Sequence, residues 1–321
     1  MPRTRVICDN DYAGDPDGLL QLAHHLLSPS VDVRAVVASH LAAGDAFDAS
    51  GRSAAHGAQA ARAVARLAGR PEVPVLAGAE GGLTGGEDPS GPLSPAAQAI
   101  VAEALRDDPR PLYVACGGGL TEIASAWLAE PSIAGRIAAV VWIGGVEHDL
   151  PAAAGGPAAA PPGWDGPEYN TAIDLRAAQV VFGSDLPLWQ VPRDAYRRLL
   201  VSASEVDTRL RPAGMLGAHL AAALDAARDR MAELGQDLGE TYCLGDTPLV
   251  LLTALQSAFQ PDTSSSTHVV LPAPRLGDDG GYLPDPRGRP IRVYTRLDAR
   301  LAVGDLFAKL ERHAAVQDGG R

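Results

Sequence analysis

Along most of this chain, short apolar runs alternate with stretches in which apolar residues recur every three or four positions. Buried strands separated by amphipathic helices leave that pattern. Runs at 6–8, 33–38, 73–76, 111–116, 137–143 and 188–191 predict strands covered on both faces. Periodic segments at 19–27, 53–67, 94–105, 122–128 and 175–182 predict the helices between them, with Ser94 and Pro95 marking one start and Pro71 one stop. Beyond Pro192 the pattern predicts helices over 194–202, 215–234 and 248–259. Strands at 269–272 and 291–295, pairing with each other or with the sheet edge, and a helix over 303–311 finish the chain. The expected fold is α/β: an open, mostly parallel sheet with helices on both faces, C-terminal helices and a small strand pair, in one domain over 1–321.

The first strand runs into a carboxylate cluster, Asp9, Asp11, Asp15 and Asp17, just before the first helix. A strand that turns into a helix places such residues in the crevice at the carboxyl edge of a parallel sheet, where open α/β folds keep their ligands. Asp9 and Asp11 share a side if the strand extends that far, and Asp15 and Asp17 a side of the turn. Four like charges this close need protons or a cation, and all-oxygen donors suit a hard ion, Ca²⁺ or Mg²⁺. A plainer reading makes the stretch a solvated turn with Asp15 or Asp17 as helix cap.

Composition narrows the partners. A formal net charge of −12 with no basic run argues against nucleic acid or an anionic membrane surface. Three scattered cysteines, Cys8, Cys116 and Cys243, read as reduced residues of a cytoplasmic protein, and no run is long and apolar enough to span a membrane. A small-molecule ligand is the expectation.

Further candidates follow later strands. His40 and Asp45 leave the second strand, where a substrate contact from His40 is expected. Gly117-Gly118-Gly119 sits between a strand and a helix, where glycines can cradle an anion or turn a carbonyl toward a metal. The spacing fits neither the dinucleotide fingerprint nor the P-loop. A Pro/Ala/Gly-rich loop over 147–166 ends in Trp164-Asp165-Gly166-Pro167-Glu168-Tyr169-Asn170, whose acids, amide and aromatics suit a sugar or base site.

In this order the blocks resemble the inosine-uridine-preferring nucleoside hydrolase superfamily. Asp9-Asn10-Asp11 through Asp17 is similar to its opening acidic motif, 117–124 to its Gly-Pro-Leu-Thr block, 140–145 to its Met-Gly-Gly strand, Glu168-Tyr169-Asn170 with Asp174 to its Glu-Phe-Asn and Asp, and Gly245-Asp246 to its His-Asp. The resemblance implies calcium-dependent hydrolysis of an N-ribosyl bond. It implies Ca²⁺ held by Asp11, by one of Asp15 and Asp17, by the Thr121 carbonyl and by Asp246. The other acid of the Asp15/Asp17 pair becomes the general base, Glu168 and Asn170 bind ribose hydroxyls, and Asp9 supports from behind. It also implies a homo-oligomer, a dimer or tetramer.

One departure stands out: Gly245 occupies the place of the family's leaving-group histidine. His40, His148 or Asp165 could supply that proton, or the leaving group needs none. Two other readings compete. A non-catalytic nucleoside or sugar binder would keep the cage without the acid. An aspartyl-phosphate phosphatase needs a lysine beside the phosphoryl group, and the only lysine is Lys309.

Overall fold

The computed structural model describes residues 1–83, 93–150, 166–257, 259 and 264–319. Its main sheet has eight strands in the order β3-β2-β1-β4-β5-β6-β12-β9. These are β1 (Thr4–Asn10), β2 (Val31–Ala38), β3 (Val75–Ala77), β4 (Leu112–Cys116), β5 (Ala139–Ile143), β6 (Leu188–Val191), β9 (Thr267–Pro272) and β12 (Pro290–Arg296). All neighbours run parallel except β9, which pairs antiparallel with β12 at the edge. The late strand pair thus does both things expected of it, its members pairing with each other while β12 joins β6.

Strand order reverses between β1 and β4, since the chain winds outward from β1 to β3 and then returns to lay β4 on its other side. Connections leave β1 and β4 toward opposite faces at such a point, which opens a crevice at their carboxyl ends. That is where the acidic cluster emerges.

Helices cover both faces. Val6 and Cys8 of β1 point into one apolar layer with α1 (Asp17–Leu26), α2 (Ser53–Leu67), α9 (Gly214–Glu233), α10 (Pro248–Thr253) and α11 (Ala299–Gly319). Ile7 points into the other, with α3 (Pro95–Ala104), α4 (Thr121–Ala129) and α6 (Leu175–Gly183). This period-two division is why β1 reads as a continuous apolar run.

Some segments differ from the sequence-based expectation. The helix expected over 194–202 is instead α7 (Arg193–Tyr196) followed by a strand, β7 (Leu200–Ser202), paired antiparallel with β8 (Thr241–Cys243). Leu199 and Val201 are buried and Leu200 exposed, a strand's alternation. The helix expected over 248–259 stops at Thr253. Short elements without enough residues to show a period also appear: α5 (Tyr169–Ile173), α8 (Ala203–Glu205), and the β10 (Arg275–Leu276) and β11 (Tyr282–Leu283) pair. All three cysteines are free. Among the described residues, no helix is long and apolar enough to cross a membrane.

Lys309 lies in α11, bonded to Ser28 Oγ (2.8 Å) and to Asp305, away from the acidic cluster, so it cannot serve a phosphatase there. Asp305 also meets Nε2 of His24 at 2.7 Å. Burial outweighs that carboxylate and pushes His24 down from 6.5 to about 4. The unfolded chain takes up a proton near pH 6.5 that the folded chain refuses until about 4. Stability present above pH 6.5 is therefore lost as pH falls through this window, by ~3 kcal/mol at its lower end. His24→Gln is expected to lower the melting temperature at pH 8, with the gap to wild type narrowing steadily toward pH 4.5. A gap independent of pH would contradict this assignment.

Candidate functional site

Four segments meet at the carboxyl ends of β1 and β4: the β1–α1 turn, the glycine turn after β4, the start of α5 and the β8–α10 link. Together with Ile143 and side chains of 196–197 and 231–243 they enclose a cavity of about 550 Å³ whose lining includes Asp11, Asp15, Asp17, Glu168, Asn170 and Asp246.

The first segment is shaped by its ends. β1 stops at Asn10, and the Gly14 N–H closes a tight turn on the Asp11 carbonyl (2.7 Å). A Cβ on Gly14 would stand 2.8 Å from Leu41 Cδ2 and 3.2 Å from the Asp11 carbonyl oxygen, so a larger residue there would have to push Leu41 aside. Asp15 Oδ1 accepts from the Asp17 N–H (3.1 Å) and from the Tyr242 hydroxyl (2.9 Å). Asp15 thus does part of the capping work expected of a plain helix start, although the cap residue itself is Pro16, without a side-chain cap bond.

Asp246 arrives from the far end of the chain and is locked in twice. Its N–H donates to Asp17 Oδ2 (3.0 Å) and its Oδ2 accepts from Asn10 Nδ2 (2.8 Å). Glycines 117 and 118 make room for this. A Cβ on Gly117 would stand 2.3 Å from Asn10 Nδ2, and one on Gly118 3.1 Å from Asp11 Cβ. Their function is close approach, and their carbonyls turn outward to Asn170 Nδ2 (2.9 Å) and Trp142 Nε1 (3.0 Å).

Glu168 caps α5 through Oε2, which also takes the Gly145 N–H (2.8 Å), while Oε1 accepts from the Tyr196 hydroxyl (2.8 Å). Asn170 spends its N–H groups on the carbonyls of Gly117 and Ile143, leaving its carbonyl oxygen toward the cavity it lines.

Electrostatically the cluster is under tension. Burial first, then the negative charge of Asp246, push Asp11 and Asp17 well above the ordinary carboxylate range. Burial raises Asp246 to about 7, with Asp15 adding to it. Protons or a cation must offset this. Among the described residues, no three His, Cys, Asp or Glu side chains stand close enough as placed to hold an ion. The donor chemistry nevertheless fits a hard cation, since the carboxylates of Asp11, Asp15, Asp17 and Asp246 line one cavity. Gathering them on one ion requires side-chain movement.

Other candidates lie elsewhere. Asp9 is fully buried beneath the cavity, facing Ser39 and Glu122, with neither oxygen hydrogen-bonded among the described residues. Thr121 opens α4 without lining the cavity, and its hydroxyl donates to Asp174 Oδ2 (2.7 Å). His40 is also absent from the lining, with Nδ1 on the Leu41 carbonyl (2.9 Å) and Nε2 on Thr121 Oγ1 (3.0 Å). His148 stacks on Tyr282 at 4.4 Å and meets Gln190 (2.8 Å), beside a different cavity. Trp164 and Asp165 fall outside the described residues. Phe47, Tyr196 and Tyr242 also line the cavity, and none of them is among the expected site residues. Only Tyr242 carried a hint, standing four positions before Asp246.

A family model described as inosine-uridine preferring nucleoside hydrolase matches residues 6–315. The chain belongs to that family. Within it, the pyrimidine-specific ribonucleoside hydrolase RihA of Citrobacter koseri is 26% identical over 231 residues, 65% of this chain. The match spans 66% of that relative's length. The purine-preferring ribonucleoside hydrolase of Gardnerella vaginalis superposes with a TM-score of 0.73 at 19% identity, over 98% of this chain and 100% of its own. The plant nucleoside hydrolase PpNRh1 gives 0.71 at 18%, over 97% and 99%. Both share their fold with this chain.

Proposed function

We propose that this nucleoside hydrolase family member cleaves the N-glycosidic bond of ribonucleosides with water, aided by Ca²⁺, releasing base and ribose. The observation that carries the reading is the bonding of Asp246 to Asp17 and Asn10, more than 200 positions away, in one cavity with Asp11, Glu168 and Asn170. Relatives named as ribonucleoside hydrolases support it.

Asp11, Asp17 and Asp246 hold the ion in this scheme. Lewis acidity toward a water and toward the sugar's vicinal hydroxyls is what Ca²⁺ supplies when bound. Asp15 acts as general base: Tyr242 and the Asp17 N–H fix its Oδ1, leaving Oδ2 for the proton of the attacking water. Glu168 and Asn170, themselves pinned by backbone contacts, orient the ribose hydroxyls and so set the anomeric carbon against that water. Thr121 and His40 act at one remove, through the hydrogen bonds that hold α4 against Asp174.

The test is ribose release from uridine, inosine and a ribosylpyridinium salt by calcium-loaded protein, repeated after chelation. Turnover that stops on chelation and returns with Ca²⁺ is expected. Undiminished turnover of every substrate in chelated protein overturns the metal role. Nucleoside binding by calorimetry with no base released from any of them identifies a binder, a reading that Gly245 in place of histidine favours.

A further inference from the structure

Among the described residues, the carboxyls aside, the cavity is short of uncommitted proton donors. None of the eight histidines is among its described lining residues. A Cβ on Gly245 would stand 3.2 Å from Tyr196 Cδ2 and 3.3 Å from Asp17 Oδ2, so the Tyr196 ring fills the space a side chain at 245 would enter. The phenols that line the cavity have their protons committed: Tyr196 to Glu168 (2.8 Å), Tyr242 to Asp15 (2.9 Å) and Tyr169 to Asp45 (2.7 Å). The Cys243 thiol donates to the Tyr196 carbonyl (3.6 Å).

What the lining offers instead is aromatic faces and negative charge. Phe47, Tyr169, Tyr196 and Tyr242 stand among five carboxylates, against one guanidinium, the exposed Arg197. That is a formal excess of four negative charges, and a bound divalent ion still leaves two. Rings and carboxylates together attract organic cations.

We infer, on the ribosyl-hydrolase reading above, that the cavity takes ribosides whose base carries a fixed positive charge, of the N-ribosylpyridinium or N7-alkylpurine type. Cleavage then balances without an acid. The C1′–N electron pair stays on nitrogen and cancels its charge, the water oxygen bonds C1′, and the water's proton goes to Asp15 and on to solvent. An uncharged nucleoside must instead expel an anion or find a donor.

The experiment compares kcat/KM of the full, calcium-loaded chain for N-ribosylnicotinamide and 7-methylguanosine with that for uridine, inosine and 4-nitrophenyl riboside. Expected are values at least 100-fold higher for the two cationic ribosides than for uridine and inosine. Uridine or inosine cleaved as fast as the cations overturns the inference while leaving the hydrolase reading intact. Rapid 4-nitrophenyl riboside with slow cationic ribosides also overturns it, since acid-free departure would then hold without recognition of charge. No cleavage of any riboside overturns both.

Discussion

Asp11→Asn is expected to abolish calcium uptake measured by calorimetry and to lower kcat/KM for a cleaved riboside ~10³-fold, the scale seen when one preorganised charged contact at a reacting centre is removed. The substitution keeps volume and removes charge, so the turn closed by Gly14 on the Asp11 carbonyl is untouched. Its effect on stability runs the other way. Asp11 is buried beside Asp246 and Asp15, which push its carboxyl upward, so in ion-free protein the amide relieves repulsion. Ion-free Asp11→Asn should melt at or above wild type at pH 8. Lost turnover together with a lower melting point would mean that Asp11 holds the fold instead of an ion.

The second large effect is in the core. Trp142 of β5 is fully buried, packs edge-on against Phe182 at 5.9 Å, and donates its indole N–H to the Gly118 carbonyl. Trp142→Ala should cost about 3–5 kcal/mol, read as a shift in the urea midpoint, because the neighbouring strands cannot collapse into the hole. Trp142→Phe keeps most of the apolar volume but leaves a buried carbonyl without its donor, about 1–3 kcal/mol. That carbonyl belongs to the glycine backed against Asp11, so Trp142→Phe should also weaken calcium uptake. Unchanged affinity would show that the indole bond does not position the turn.

How far the chain could be read without coordinates depended on length. Strands such as Leu188–Val191 and helices such as Ser53–Leu67 match their expected bounds, since two or more periods of burial leave a trace in composition. Three-residue β7 and two-residue β10 leave none, and the apolar positions around Leu199 fit helix and strand equally until β8 is alongside. At the site the acids were legible because charge in an apolar neighbourhood is conspicuous, and the structure brings Asp11, Asp15, Asp17, Glu168, Asn170 and Asp246 to one cavity. Thr121, whose carbonyl was expected on a metal, and His40 are both absent from the cavity lining, and His40 shows why a strand end is not enough: its ring points into a hydrogen-bonded layer with the Thr121 hydroxyl. Tyr196 was invisible, since an aromatic on a four-residue helix looks like any surface residue.

The bond from Asn10 to Asp246 links positions 236 apart in sequence. On the ribosome Asp11, Asp15 and Asp17 therefore emerge more than 200 residues ahead of the acid that closes them. Ion binding can report only on a polypeptide made past Asp246, and any break between those positions that lets the pieces drift apart would silence the protein even with every acid intact.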